Sequence, residues 1–185
     1  TIVSPWGTKK PLLDYPGIDV VVSAGTKALG GEDRDMWGYI ASNQIGLINQ
    51  ATDIQAMRGG ILSWRSAEGI LETYPRAKSH FEKRCSTATK VAAFLENHPQ
   101  VEAVFHPSLS SHPDRAVIQE YYTYPGSLLA FRARGLNEEE TSHFCDVLAT
   151  CIPIRYALSF DGLVTKVNHH KTVSEFYTPE PVVRK

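Results

Sequence analysis

The sequence predicts an α/β or α+β fold, because short apolar runs with strand character alternate with longer segments of helical spacing. The clearest strand is the β-branched run Ile18 to Ala24, which follows the turn signal Tyr15-Pro16-Gly17. The clearest helix lies within Ala77 to Asn97, where apolar residues recur on one helical face. A chain of 185 residues is long enough for one large domain or two small ones.

The first third of the chain is predicted to contain two strands and a helix. Ile18 to Ala24 is continuously apolar, as expected for a strand buried on both faces of a parallel sheet. A loop that carries Lys27 separates it from a second apolar run, Met36 to Ser42. A helix is expected from about Gln44 to Met57, and Arg58-Gly59-Gly60 ends it.

The rest of the chain continues the alternation. Helical spacing resumes at Ser66, Pro75 is expected to break or restart the helix, and His98-Pro99 ends it. The later predicted elements are a strand (Val101 to His106), a turn (Pro107 to Pro113), a helix (Ala116 to Tyr122), a strand (Ser127 to Arg134) and a helix with Asn137 as N-cap and Glu138 to Glu140 in its first turn. Turn signals change in density between residues 58 and 75, which predicts a domain boundary there.

Composition narrows the class of partner. The net charge is −1, with 19 basic and 20 acidic residues, so no strong field attracts nucleic acid or an anionic membrane. No apolar stretch is long enough to cross a bilayer, and the first residues lack a secretory signal pattern. Cys85, Cys145 and Cys151 are odd in number and lack Cys-x-x-Cys spacing, which predicts reduced thiols in a cytoplasmic protein. A small polar metabolite is the expected ligand.

Lys27 is the strongest candidate for chemistry. It follows a predicted buried strand, Thr26 precedes it, and Gly30 and Gly31 come shortly after. A threonine hydroxyl and loop N–H groups can bind a phosphate, and glycines allow close approach of the backbone. Lysines at strand ends are usually solvated, so this run by itself leaves both interpretations open.

Separate segments of the chain resemble, in order, the pyridoxal-phosphate (PLP)-dependent enzymes of cysteine and methionine metabolism. This family includes cystathionine γ-synthase, the cystathionine lyases, methionine γ-lyase and the homoserine sulfhydrylases. The matching segments are Thr1 to Pro5, Asp19 to Gly31, Gly60 to Ser63, Cys85 to Pro99, Val101 to Pro113, Gly126 to Phe131 and Tyr177 to Pro179. The resemblance implies fold type I, with an aspartate-aminotransferase-like architecture. Residues 1–70 would form the C-terminal part of the PLP-binding large domain, and residues 71–185 the small C-terminal domain.

The resemblance also implies roles for individual residues. Lys27 would hold PLP as an internal aldimine and then act as the base at the substrate Cα. Thr26 would bind the cofactor phosphate, with Ser23 and Ala24 also at cofactor-binding positions, and Thr165 would contact the substrate carboxylate. The implied reaction is lyase or γ-replacement chemistry on cystathionine, methionine or a homoserine ester, in a homodimer or homotetramer.

The chain departs from the family pattern in several places. Ala24 stands where many members have serine, with Ser23 displaced by one position, and Glu32-Asp33-Arg34-Asp35 replaces His-Ser-Asp. Pro75 falls where the family commonly has a continuous helix. Residues that complete the family's site are expected before Thr1 and after Lys185, so the chain is expected to need an N-terminal segment. A degenerate, non-catalytic family member that serves as a binding or regulatory subunit is the alternative.

Two other groups of polar residues favour no further chemistry. The adjacent His169 and His170 point in different directions on a helix or a strand, so no metal site is expected. Ser110-Ser111-His112 lacks the Gly-x-Ser-x-Gly turn of a hydrolase, and the resemblance makes it a surface loop.

Overall fold

The computed structural model describes residues 5–30, 32, 34–151 and 153–173. Strands and helices alternate along these residues, which confirms the predicted class. The elements are β1 (Val21–Ala24), β2 (Gly38–Ala41), α1 (Ile45–Arg58), α2 (Trp64–Glu96), β3 (Val101–Phe105), α3 (Arg115–Tyr121), β4 (Ala130–Ala133), α4 (Glu138–Thr150), β5 (Ile154–Tyr156), β6 (Thr165–Val167) and α5 (His170–Val173). A 3-10 turn (Leu12–Asp14) precedes β1, and a π-helical turn (Thr26–Gly30) follows it.

The strands of the described residues form three two-stranded sheets. The β1–β2 and β3–β4 pairs are antiparallel, whereas β5 and β6 are parallel. The prediction that β1 is a parallel strand buried on both faces is wrong, since Val21 and Ser23 are buried while Val22 is 57% exposed. Residues 25–37, which include the π-helical turn, reverse the direction of the chain, so β2 returns antiparallel to β1.

Helix α2 supplies most of the core of the described residues. Ser63 caps its first turn by accepting the Ser66 N–H at 3.1 Å. Its buried stripe consists of Gly69, Thr73, Ala77, Phe81, Cys85, Ala88 and Ala92, at the spacing of one helical face. The helix packs against both the π-helical turn and β3.

Pro75 lies inside α2, so the prediction that it breaks or restarts the helix is wrong. A proline in a helix interior costs about 3 kcal/mol, because it lacks an N–H and crowds the preceding turn. The flanking residues Thr73 and Ala77 are both buried. Tertiary burial on each side of the proline therefore offsets its cost, and the helix continues through it.

Local signals elsewhere are confirmed. Helix α1 differs from the prediction by one residue at each end, and it stops at Gly59, whose φ of +86° is readily available only to glycine. Asn137 accepts the Glu140 N–H at 3.0 Å, and the Glu140 carboxylate accepts the Asn137 N–H at 2.9 Å. This reciprocal pair is a capping box. The predicted boundary between residues 70 and 71 falls within α2, and the domain division stays a prediction.

The first helix has an unusual surface. None of its residues is buried, and Ile45 and Met57 are 72% and 80% exposed. None of the helices in the described part of the chain is both long enough and apolar enough to cross a membrane.

Candidate active site around Lys27

Lys27 lies in the π-helical turn directly after β1. The N–H groups of Gly25 and Thr26 both donate to the Trp37 carbonyl, at 2.9 and 3.2 Å. The Gly30 N–H donates to the Gly25 carbonyl at 2.6 Å, which closes the turn. Single π-helical turns are rare and often occur at functional sites. The turn therefore has a fixed backbone that directs the lysine side chain.

Gly25 is required by its contact with Trp37. A Cβ added at Gly25 would lie 2.3 to 2.4 Å from three carbon atoms of the indole ring. No side chain fits in that space, so only glycine allows the indole to cover the base of the turn.

The amine of Lys27 meets two residues from the far end of the chain. Its Nζ donates a hydrogen bond to the Ser159 Oγ, and it lies 5.0 Å from the centre of the Phe160 ring. Both contacts suit a half-buried lysine side chain, since a hydroxyl can accept a hydrogen bond from its amine and an aromatic face attracts a cation. Sequence reasoning missed Ser159 and Phe160. They lie in a loop between the short strands β5 and β6, and no local motif marks them.

The other predicted site residues lie in different surroundings. The Thr26 hydroxyl accepts the Trp37 N–H at 2.8 Å and donates to the Trp37 carbonyl at 3.2 Å, so its only donor is occupied. Ser23 is buried in β1, whereas its neighbour Ala24 is exposed. Thr165 lies exposed on β6, where it pairs with Ile154. The structure thus brings Lys27 and Thr26 into one turn and places Thr165 in a separate sheet.

The charged segment after the turn is fastened to α2. Glu32 accepts from the Arg76 guanidinium at 3.1 and 3.3 Å, and Arg34 donates to Glu72 at 2.9 Å. Asp33, in the same segment, is outside the described residues. Glu32 and Arg34 are therefore paired with helix side chains, and these pairs tie the segment beyond the turn to the main helix.

The shape of the site limits where a cofactor could bind. A cavity of about 10 Å³ lies between the turn and α2, lined by residues that include Thr26, Trp37 and Thr73. That volume holds about one water molecule, which is far too little for a phosphorylated pyridine. The Lys27 amine instead reaches toward Ser159 and Phe160, so a cofactor held by Lys27 would lie on that side of the turn. A phosphate contact from Thr26 requires its hydroxyl to give up the Trp37 carbonyl.

The His169-His170 pair and the Ser110-Ser111-His112 run, for which the sequence favours no further chemistry, make contacts with nearby side chains and backbone. His169 Nδ1 lies 3.0 Å from the Thr172 Oγ1, and the described residues contain no group of three metal-ligating side chains. In the Ser110-Ser111-His112 turn, Ser111 donates to Glu96 at 3.2 Å, and His112 Nδ1 accepts the Asp114 N–H at 3.1 Å. These contacts fix surface loops.

Curated relatives agree with the resemblance seen in the sequence. The chain is 30% identical over 164 residues to the chloroplastic cystathionine gamma-synthase 1 of Arabidopsis thaliana, covering 89% of this chain and 28% of that protein. It is 28% identical over 171 residues to the L-methionine gamma-lyase of Porphyromonas gingivalis, covering 89% of this chain and 41% of that enzyme. The chain thus spans less than half the length of these relatives.

Solved structures match the fold over nearly the whole chain. The metB structure from Corynebacterium glutamicum superposes with a TM-score of 0.85 at 25% identity, covering 97% of this chain and 45% of that one. Cystathionine gamma-lyase from Lactobacillus plantarum, in complex with L-serine, gives a TM-score of 0.84 at 21% identity, covering 98% and 46%. These matches confirm the fold type I class. The family model for Cys/Met metabolism PLP-dependent enzymes matches residues 1–177, and the chain therefore belongs to this PLP-dependent family.

Proposed function

We propose that this chain forms the lysine-bearing part of a lyase or γ-replacement enzyme that acts on a sulfur amino acid or a homoserine ester. Lys27 is the residue that holds PLP covalently. One observation carries this proposal: the Lys27 amine projects from the turn after β1 and is held by Ser159 and Phe160. Cystathionine, methionine and homoserine esters are the proposed substrates, and the first two appear in the names of the relatives.

Lys27, Ser159 and Phe160 each have a distinct role in the proposed reaction. When bound, PLP supplies an aldehyde for the lysine amine and a ring that takes up the electrons of a broken Cα bond. The Lys27 Nζ holds the cofactor and, once released, moves a proton to and from the substrate Cα. The Ser159 hydroxyl orients the Lys27 amine, and the Phe160 ring excludes water from one side of that amine.

Phosphate binding is the second part of the proposal. The Thr26 hydroxyl would bind the cofactor phosphate in place of the Trp37 carbonyl, and Ser23 and Ala24, at the end of β1, would be cofactor-binding positions. A switch of one hydroxyl acceptor is inexpensive, because one hydrogen bond replaces another.

The assembly is proposed from the exposed apolar residues. Val22 and Ile40 on the first sheet, Ile45 and Met57 on α1, and Trp64 are all more than one third exposed. We propose that they pack against a segment outside this chain or against a second copy, in a homodimer or homotetramer. Residues 1–70 belong to the large domain in this scheme and residues 71–185 to the small one.

A cytoplasmic location is proposed from the thiols. Cys85, Cys145 and Cys151 are all free, and burial raises the pKa of the Cys85 and Cys145 thiols. Cys151 is free and exposed, and free thiols are typical of a reducing compartment. The chloroplastic relative from Arabidopsis shows that a plastid is the other compartment to test.

The experiment is an activity assay on protein expressed from its complete reading frame and saturated with PLP. Cystathionine, methionine and an O-acylated homoserine are supplied one at a time, and keto acids, thiols and new thioethers are quantified. Lys27→Ala should lower turnover by about a thousandfold or more, because it removes both the cofactor link and the base. The matched control is Lys90→Ala, which removes an exposed lysine from α2 and should leave turnover unchanged.

The alternative, a non-catalytic family member, is favoured by the occupied Thr26 donor. It is distinguished in the same assay. Wild-type protein that binds PLP weakly and forms no product from any substrate would contradict the enzyme and support a binding or regulatory subunit.

A further inference from the structure

Asp161 adopts an unusual backbone conformation in the loop that contacts Lys27. Its φ is +62°, and it is the only non-glycine residue with a positive φ in the described ranges. Left-handed backbone is unfavourable for a residue with a Cβ, although Asp tolerates it better than most residues. Contacts of its side chain must therefore hold Asp161 in place.

Two side chains from separate elements hold the Asp161 carboxylate. Ser127, which precedes β4, donates a hydrogen bond from its Oγ to Asp161 Oδ1 at 2.7 Å. Arg84 of α2 places its Nε 3.6 Å from the same oxygen. The two ion-paired side chains are only 14% and 11% exposed, so solvent screens the pair weakly.

The Arg84 guanidinium depends on this carboxylate. Its Nε and both terminal nitrogens are buried and have no hydrogen-bond partner among the described residues. A buried cation without a counter-ion is strongly unfavourable, so the nearby negative charge of Asp161 is what makes Arg84 acceptable there. The attraction in turn draws the loop toward α2.

The loop that carries Asp161 also carries the two residues that contact the Lys27 amine. Asp161 directly follows Phe160, and Ser159 accepts the Lys27 hydrogen bond. Helix α2, which carries Arg84, also packs against the π-helical turn that carries Lys27. One rigid helix is thereby connected both to the lysine and to the residues that contact its amine.

We propose that Arg84 and Asp161 are positioning residues that hold the Ser159–Phe160 loop against Lys27. The proposal rests on the proposed function, in which Lys27 is the cofactor lysine. Neither residue contacts the reacting atoms in this scheme, and both act through Ser159.

The test is a double-mutant cycle on the complete protein, with PLP affinity and the visible absorption of bound PLP as readouts. Asp161→Asn removes the charge but keeps a residue that tolerates positive φ and accepts from Ser127. It should weaken PLP binding about tenfold and lower the visible absorption, and Ser159→Ala should do the same. Because the pair acts through Ser159, the double variant should be no weaker than Ser159→Ala alone.

Two controls separate positioning from general stability. Glu102→Gln removes an exposed ion pair with Arg132, at 3.0 Å on the β3–β4 sheet, and should leave both readouts unchanged. Arg84→Lys keeps the positive charge and should retain more PLP affinity than Arg84→Met. If Asp161→Asn proves insoluble, Asp161→Gly takes its place, since glycine suits the same backbone angle.

The outcomes distinguish the positioning role of Arg84 and Asp161 from the role of Lys27 as the cofactor lysine. Additive losses in the cycle, or a PLP affinity and spectrum unaffected by Asp161→Asn, would overturn the positioning role while leaving Lys27 as the cofactor lysine. Wild-type protein that takes up no PLP on Lys27 would overturn the proposed function, and the positioning role with it.

Discussion

At the scale of single residues, the site depends on contacts that join distant parts of the chain. The Lys27 amine is held by Ser159 and Phe160, and the backbone below it is closed by Thr26 and Trp37. Each of these contacts fixes one end of the lysine side chain. The Lys27 amine is thus placed before any ligand arrives, and in the proposed function this lowers the entropic cost of binding and reaction.

Gly25 offers a direct test of the packing under the lysine. Gly25→Ala places a Cβ 2.3 Å from the Trp37 ring, so we expect the free energy of unfolding to fall by about 1–3 kcal/mol. Urea denaturation measures this loss. The matched control is Gly46→Ala in α1, where a Cβ meets nothing within 4 Å and a gain of about 0.5–1 kcal/mol is expected. Equal effects of the two substitutions would contradict the packing described for Trp37.

Lys27 could be proposed from the sequence because a local pattern, a threonine and two glycines beside an apolar strand, coincides with a resemblance to the family over several segments. The local pattern by itself left both interpretations open. Ser159, Phe160 and Asp161 could not, because their importance comes from tertiary contact with residues far away in the chain. A strand-to-strand loop without a motif gives no such indication by itself.

At the scale of elements, α2 is the structural centre of the described chain. The helix packs against the turn that carries Lys27. Its Arg76 pairs with Glu32, just beyond that turn, and its Arg84 pairs with Asp161 in the loop between β5 and β6. Sequence periodicity identified the helix because the apolar stripe is regular. It did not show that the helix passes through Pro75, because that outcome depends on the burial of Thr73 and Ala77.

Pro75→Ala should stabilise the protein. The substitution restores a backbone N–H inside the helix and removes the steric conflict with the preceding turn, so we expect a gain of about 1–3 kcal/mol in the free energy of unfolding. Thermal and urea denaturation measure it. Pro99→Ala, just beyond the end of α2, is the control and should give no comparable gain. A loss of stability in Pro75→Ala would show that the proline ring itself contributes packing.

The capping box of α4 gives a second prediction for an element. Asn137→Ala leaves the Glu140 N–H without its acceptor, which should cost about 1 kcal/mol of unfolding free energy. Asn137→Ser should restore most of this loss, since a serine hydroxyl caps the same N–H. Denaturation curves that do not distinguish alanine from serine would contradict the cap. This cap was evident from the sequence because both partners lie within one helical turn.

At the scale of the whole molecule, strands and helices alternate along the chain, and the strands of the described residues form three two-stranded sheets. The alternation of strands and helices revealed the class, because alternation is visible along the chain. The strand pairing could not be predicted from the sequence, because paired strands such as β3 and β4 are separated by helix α3 and long turns. The exposed apolar residues of α1 suit burial against another part of a larger assembly.

The stability of the molecule should depend on pH through His106. This residue is 1% exposed, and burial lowers its pKa below the ordinary value of 6.5. The unfolded chain therefore binds a proton more readily, so the contribution is full above about pH 6.5 and is lost as the pH falls through the folded pKa. Urea midpoints should fall more steeply from pH 8 to pH 5 in wild type than in His106→Gln. Parallel slopes in the two proteins would contradict this assignment.

The most direct test of the central claim is chemical trapping at Lys27. The complete protein is incubated with PLP, reduced with borohydride and digested, and the peptides are mapped by mass spectrometry. We expect one pyridoxyl-phosphate adduct, on the peptide that contains Lys27, and none on the equivalent peptide of Lys27→Ala. An adduct confined to another lysine, or no adduct under saturating PLP, would contradict the assignment of Lys27 as the cofactor lysine.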